Sequence, residues 1–375
     1  MKILFITHYT ELYGANKSLL SLVEGFKKTK NVECAILIPA NGDLKDYCIK
    51  NNIKYFQRPF MSFVHSITQN KRYFFTFVNF LKKLKYIPRL IKLCLEYKPD
   101  IIYSNSSVIG VGAVLSIILH KKHIWHLREF QKEHYNIEFD LGNKLFGFLL
   151  NRSHKIIAIS NVIEEHYRKI TNNKIHIVYN GIINNNQIIN NKHLINNNLI
   201  NFTIVGLLHF QKNQMEAIKA FNLFNKEYPN SKLNIVGNGN NNYLRELKTE
   251  SIKLKLTNKI NFTGYISNID LIYAKTDILI LCSNKEGMGR VTVEAMSHGI
   301  PVIGKNSGAT PEIIQHKYNG LLYNNDENEL AMQMKFFVEN PEEYNKFSKN
   351  AIDTVKKKFT IEKYVENIYK IIKYL

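Results

Sequence analysis

The chain has 375 residues, too many for one ordinary domain and enough for two. Hydrophobic residues make up 45% and charged residues 22%, so sizeable cores can form and a disordered or collagen-like chain is excluded. Lys and Arg number 51 against 31 Asp and Glu, a formal charge of +20, which favours anionic partners such as nucleic acid, anionic lipid or phosphorylated substrates without choosing among them.

The first residues run straight into a strand pattern with no signal-peptide apolar core. The longest apolar run, 107–119, has the length of a buried helix rather than a membrane span. Cys34, Cys48, Cys94 and Cys282 form no CxxC pair, and all but Cys48 lie in apolar patterns expected of buried free thiols. A reducing cytoplasm is expected, with no structural zinc.

Short runs rich in Ile, Val and Phe alternate with longer helical patterns, as in repeated βα units around parallel sheets. Strands are predicted at 3–7, 34–38, 54–56, 101–103, 123–126, 156–159 and 175–178, with a helix at 16–26. A second series is predicted at 202–205, 233–236, 260–262, 278–281, 302–304 and 321–323. The fold class is therefore α/β, with two Rossmann-like domains. Nine Asn in the eighteen positions 184–201 mark an interdomain linker. The expected organisation is 1–183, a linker at 184–201, a second domain at 202–358 and a C-terminal segment at 359–375. Tyr364, Val365, Ile368, Ile371 and Ile372 give that segment an amphipathic helical face.

The most informative segment is CSNKEGMGRVTVEAMSHGIPVIG, residues 282–304. It follows an apolar strand and turns through Gly287 and Gly289 into a helix, in the place where open α/β sheets bind ligands. The glycines allow close backbone approach, and the free N–H groups of a helix starting near Arg290 suit a phosphate. Glu286 lies in the turn before that helix and Glu294 about one turn inside it. One carboxylate is placed for a sugar hydroxyl and the other for a ribose.

Glu-Gly-x-Gly, Glu-Ala-Met, Gly-x-Pro-Val-Ile and the following Gly-Ala-Thr-Pro-Glu at 308–312 resemble the signature of retaining glycosyltransferases of family 4. The resemblance extends along essentially the whole chain and implies the GT-B fold: two Rossmann-like domains facing across a cleft, with a C-terminal helix returning to the first domain. Residues 205–214, VGLLHFQKNQ, resemble the family's Gly-Arg-Leu-x-x-x-Lys-Gly segment, with Gly206 and Lys212 matching. Leu207 stands where an Arg is expected, Asn213 replaces the Gly, and Arg290 is the candidate substitute for the missing charge. Residues 8–18 resemble the family's Gly-Gly-Ala-Glu loop at Gly14 and Ala15 but not at Tyr13 and Asn16. WHLREF at 125–130 places His126 at the family's His near the anomeric carbon. Ser160 and the turn at 178–182 match as architecture.

The resemblance implies His126, Glu286 and Lys212 as catalytic residues. It implies donor binding by Gly14, Ala15, Gly206, Lys212, Gly264, Tyr265, Glu286, Gly287, Met288, Gly289, Arg290, Val291 and Glu294, with Glu294 on the ribose and the Gly264–Tyr265 turn on the base. The donor would be a UDP- or GDP-sugar, with no cofactor and no metal. A second feature is the basic stretch 71–98, where Lys71, Arg72, Lys82, Lys83, Lys85, Arg89, Lys92 and Lys98 accompany Phe74, Phe75, Phe77, Phe80 and Tyr86, with Glu96 as the one acid. It reads either as an interfacial segment on anionic lipid or as a packed helix pair with a solvated face. The resulting expectation is a cytoplasmic enzyme, peripheral on the inner face of the plasma membrane, acting on a lipid-linked saccharide in capsule, O-antigen or exopolysaccharide synthesis. Two rivals remain: a nucleotide-sugar epimerase of the same fold, and a non-enzymatic basic protein that binds membrane or nucleic acid. The chain has no recognisable nucleic-acid-binding motif.

Overall fold

The computed structural model describes residues 1–67, 73–189, 199–324 and 326–375. The chain forms two compact units, Met1–Gly181 with Ile361–Leu375, and Ile182–Thr360.

In the first unit the chain runs β1 Lys2–Ile6, α1 Gly14–Thr29, β2 Glu33–Ile38, α2 Asp43–Lys50, β3 Lys54–Gln57, β4 Val64–Ser66, α3 Tyr73–Leu84, α4 Ile87–Tyr97 and β5 Ile101–Ser104. It continues through α5 Gly110–Leu119, β6 Lys122–Leu127, α6 Gln131–Tyr135, β7 Ile137–Phe139, α7 Gly142–Asn151, β8 Lys155–Ala158, α8 Asn161–Arg168 and β9 Ile175–Ile177. Seven strands form one sheet in the order β3-β2-β1-β5-β6-β8-β9, every neighbouring pair parallel. Parallel strands covered on both faces are buried throughout, as β5 is. The core gathers Ile3, Phe5, Ile36, Tyr103 and Ile157 from the sheet and Leu19, Val23 and Phe26 from α1.

The second unit contains β10 Ile200–Val205, α9 Gln214–Glu227, β11 Ser231–Val236, α10 Asn241–Lys253, β12 Ile260–Gly264, α11 Ile269–Tyr273, β13 Ile278–Leu281 and α12 Arg290–Ser297. There follow β14 Val302–Lys305, α13 Thr310–Ile313, β15 Gly320–Tyr323, α14 Glu327–Glu339 and α15 Pro341–Lys358. Its six-stranded sheet, in the order β12-β11-β10-β13-β14-β15, is again parallel at every pairing. The last helix, α16 Ile361–Lys373, belongs to the first unit. It buries Tyr364, Val365, Ile368 and Ile372, and packs at Gly25 of α1, where a Cβ would lie 2.3 Å from Val365 Cγ2.

Every strand expected from the sequence is present in the two parallel sheets. The short antiparallel pair β4–β7 was not expected. Cys48 is fully buried and Cys34 only partly so, the reverse of the expectation, because Cys48 shares the inner face of α2 with Leu44 one turn earlier.

The units divide at Gly181/Ile182 and Thr360/Ile361 rather than within 184–201. Asn185–Gln187 form a 3-10 turn closed by Asn184 Nδ2 donating to Gln187 Oε1 at 2.7 Å. Ile189 N then donates to Ser297 O at 3.1 Å, so this stretch is tied to the second unit. The rest of the Asn-rich tract, 190–198, lies outside the described residues.

Candidate active site

In the second unit the loops after β10, β11 and β12 are locked together by glycines at the strand ends. Gly206, Gly237 and Gly264 take φ of 155°, 141° and 72°, a region that L side chains avoid. A Cβ on Gly237 would sit 1.9 Å from Gly206 O, and one on Gly239 would sit 2.4 Å from Leu208 O. Gly237 N donates to Gly264 O at 2.8 Å, and Tyr265 N donates to Asn238 Oδ1 at 3.2 Å. The stem of Lys212 passes over Gly206, about 4 Å from where a Cβ would be.

The turn after β13 is fixed from two sides. Asn284 N donates to Gln211 O at 3.1 Å, Ser307 Oγ donates to Asn284 O, and Ala309 N donates to Glu286 O at 2.8 Å. Gly308, with φ of 57°, lies against Glu286 so closely that a Cβ would be 2.5 Å from both Glu286 N and O. Glu286 is thus held by its backbone and is 8% exposed; its carboxylate pairs with the Lys212 ammonium. Gly287 and Met288 lead to Gly289, the N-cap of α12. One turn along α12, Glu294 Oε1 meets Arg290 at 3.5 Å, and Glu294 Oε2 lies 3.4 Å from the buried Tyr273 hydroxyl, which also donates to Val291 O. Burial pushes the Tyr273 phenol well above its usual range, followed in effect by the Glu294 charge, so Tyr273 is a donor here.

Lys212, Glu286, Arg290 and Glu294 therefore belong to one assembly in which two carboxylates each hold one cation. Around it, the buried hydroxyls of Ser283, Thr292 and Thr310 have no hydrogen-bond partner among the described residues. Leu207 is 56% exposed and brings no charge, and Arg290, the candidate substitute, is engaged with Glu294.

In the first unit, Gly14 and Ala15 open α1, and Ala15 O accepts from Asn105 Nδ2 at 3.2 Å. Asn16, a departure from the family pattern, is fully buried; it bonds Thr7 Oγ1 at 2.6 Å, Tyr9 O at 3.1 Å and Glu11 O at 2.8 Å, and so fixes the loop after β1. His126 on β6 is fully buried, with Nδ1 2.7 Å from Tyr103 OH and 3.1 Å from an Arg128 nitrogen, while Nε2 has no partner among the described residues. Burial first and the Arg128 charge second hold its imidazole well below the usual histidine range, so it is neutral. His123 bonds Ser104 Oγ at 3.0 Å and Ser153 Oγ at 2.9 Å, as a core histidine does.

The basic stretch divides. Lys83 is 7% exposed and inserts between Val64 O, at 2.8 Å, and the buried carboxylate of Asp140, at 2.5 Å. It ties α3 to the β4–β7 pair and is not a surface cation. Lys82, Lys85, Arg89, Lys92 and Lys98 are exposed, together with Phe77, Leu81 and Leu95. Lys71 and Arg72, and the side chains of Phe74 and Phe75, lie outside the described residues.

Residues 13–184 match the family model "Glycosyltransferase Family 4" and residues 185–354 match "Glycosyl transferases group 1". The chain belongs to the family 4 glycosyltransferases. Of the relatives of this glycosyltransferase, the Escherichia coli UDP-Gal:alpha-D-GlcNAc-diphosphoundecaprenol alpha-1,3-galactosyltransferase is 24% identical, over 96% of each chain. The Campylobacter jejuni GalNAc-alpha-(1->4)-GalNAc-alpha-(1->3)-diNAcBac-PP-undecaprenol alpha-1,4-N-acetyl-D-galactosaminyltransferase is 25% identical, over 92% of this chain and 91% of that one. Among solved structures, Anabaena HepE in complex with UDP superposes with a TM-score of 0.82 at 22% identity, covering all of both chains. The fold is GT-B, and the protein is a glycosyltransferase, so the non-enzymatic rival and the epimerase fall away.

Sequence reasoning singled out neither Arg128 nor Asn105. The Arg128 guanidinium donates to Asn105 Oδ1 at 3.0 and 2.8 Å, Asn180 Oδ1 at 2.6 Å and Tyr364 OH at 3.1 Å, none of them a carboxylate. A buried cation held without a carboxylate leaves no opposite charge in the sequence to reveal it.

Proposed function

We propose that this glycosyltransferase moves a sugar from a UDP- or GDP-sugar to a hydroxyl of a lipid-linked saccharide, with retention of anomeric configuration, in bacterial surface-polysaccharide synthesis. The observation that carries the reading is the Lys212–Glu286 pair beside the N-terminus of α12. An arriving diphosphate takes over the Lys212 ammonium and lies at the positive N-terminal end of α12. Glu286 is then released to accept from a sugar hydroxyl, while Glu294 accepts from the ribose and the Gly264–Tyr265 turn borders the base. As the bond to the anomeric carbon breaks, charge grows on the leaving diphosphate where the cations already lie. The leaving phosphate itself takes the acceptor's proton, so no protein nucleophile and no metal are assigned. His126 Nε2–H donates to the sugar, and Gly14 and Ala15 carry the backbone that faces it.

The test is release of UDP or GDP from a panel of nucleotide sugars in the presence of lipid-linked acceptors from a membrane extract, with the anomeric configuration of the product read by NMR. A lipid-borne product with the donor's configuration is expected. An inverted product removes the retaining mechanism, and turnover on soluble sugars alone removes the lipid acceptor.

The E. coli and C. jejuni relatives are named for undecaprenol-linked substrates, which supports a membrane surface as the working location; the cytoplasmic face is part of the proposal. Among the described residues, no helix is long and apolar enough to cross a membrane. Exposed Lys82, Lys85, Arg89 and Lys92 beside Phe77, Leu81 and Leu95 would give peripheral attachment, each cation adding about 1 kcal/mol near an anionic surface. Reversing these four cations to Glu, with Lys83 left in place, is expected to abolish sedimentation with anionic vesicles at low salt and to leave nucleotide binding unchanged. A variant that sediments like the parent would show that this face is only solvated.

A further inference from the structure

Two donors converge on one nitrogen of His126. The Arg128 guanidinium has only N–H groups and cannot accept a hydrogen bond, so at 3.1 Å it requires Nδ1 to be the unprotonated nitrogen. Tyr103 OH, 2.7 Å away, then donates to the same lone pair. Burial holds the Tyr103 phenol well above its usual range, which keeps that proton in place. The single proton of the neutral ring must therefore sit on Nε2. That atom is fully buried and has no partner among the described residues, a donor left waiting for an acceptor.

We propose that Arg128 is a positioning residue that locks His126 as the Nε2–H tautomer, so that the ring meets the substrate as a neutral hydrogen-bond donor and never as a base. The inference rests on the sugar-facing role given to His126 above and adds the reason that its proton is on the right nitrogen. Arg128 is itself clamped by Asn105 after β5, Asn180 after β9 and Tyr364 on α16, so its guanidinium has a fixed orientation. The titratable or charged groups against the ring are Tyr103 on β5, Arg128 beyond the end of β6 and Tyr364 on α16; its register partner on β8 is the apolar Ile157. Tyr103 is held as a phenol, and Arg128 is the charge that opposes protonation of the ring. The Glu129 carboxylate points elsewhere, accepting from Ser107 N at 3.0 Å and Ser107 Oγ at 2.7 Å.

The test is 15N NMR of the full chain labelled at histidine, with the His126 signals assigned by their loss in His126→Asn. In the unsubstituted protein, Nδ1 should show a pyridine-type shift and Nε2 a pyrrole-type shift, unchanged as pH falls through the range where free histidine titrates. This measurement does not depend on any Arg128 variant, and a pyrrole-type Nδ1 overturns the proposal outright. In Arg128→Met the Tyr103 hydroxyl is free to accept as well as donate, so the tautomers should mix and protonation should begin at higher pH than in the parent. Transfer should fall about tenfold at neutral pH and fall further as pH is lowered, with the donor KM unchanged. A variant that keeps a single Nε2–H tautomer and the parental pH profile assigns Arg128 to packing alone. If the lock is seen by NMR but His126→Leu turns over like the parent, the sugar-facing role of His126 fails, and the lock has no catalytic consequence.

Discussion

Replacing Lys212 by Met is expected to lower kcat for sugar transfer about a hundredfold, the scale of removing one preorganised charge partner from a developing anion, or about 3 kcal/mol. The side chain is long enough to fill the same space over Gly206, so the lost element is charge. The variant also leaves the 8% exposed Glu286 carboxylate without its cation. An unpaired buried carboxylate adds its own penalty, and the substitutions must therefore be made singly and together. Glu286→Gln alone should cost about tenfold through one weakened charge-assisted bond to the sugar. The double variant should cost less than the product of the two single effects, because residues sharing one ion pair are not additive. Steady-state rates with titrated donor check this. Independent, multiplying effects would mean that the two groups do not act as a pair.

The second large effect is structural. Gly237→Ala places a methyl group 1.9 Å from Gly206 O at a φ of 141°, so it suffers both backbone strain and a clash with another backbone. A loss of about 3 kcal/mol or more is expected, together with loss of nucleotide binding, since the loops after β10, β11 and β12 can no longer close on one another. Gly142→Ala is the matched control. Its φ is 74°, yet nothing lies within 4 Å of the new methyl, so it should pay only the left-handed backbone cost of about 1 kcal/mol. Urea unfolding and calorimetry with the nucleotide separate the two contributions. Equal losses in both variants would show that the close approach at Gly206 relaxes freely.

The parallel sheets were legible because their strands are short apolar runs buried on both faces, as in the Ile-Leu-Ile-Leu of β13. The β4–β7 pair was not: each strand has three residues, too short for a periodic pattern to stand out, and β4 is partly exposed along its length. The glutamate turn was legible because its glycines and carboxylates are local in sequence. What locks it is not local. Gly308 reaches Glu286 from beyond β14, and Gln211 O takes the N–H of Asn284 from the loop after β10. Lys83 reads as one more cation in a basic stretch because its partner, Asp140, is 57 residues away. Asn16 reads as a mismatch, although its amide and carbonyl hold the loop that the expected residue would have occupied.

The first unit needs α16 to be whole, whereas the second is contiguous in sequence. During synthesis from the N-terminus, Ile182–Thr360 can fold as soon as it is released, while the N-terminal unit must wait with the Gly25 face of α1 and the Arg128 guanidinium uncovered until residues 361–373 arrive. The older part of the chain therefore matures last. A lesion or truncation in the final helix acts on residues made hundreds of peptide bonds earlier, through Val365 on Gly25 and Tyr364 on Arg128.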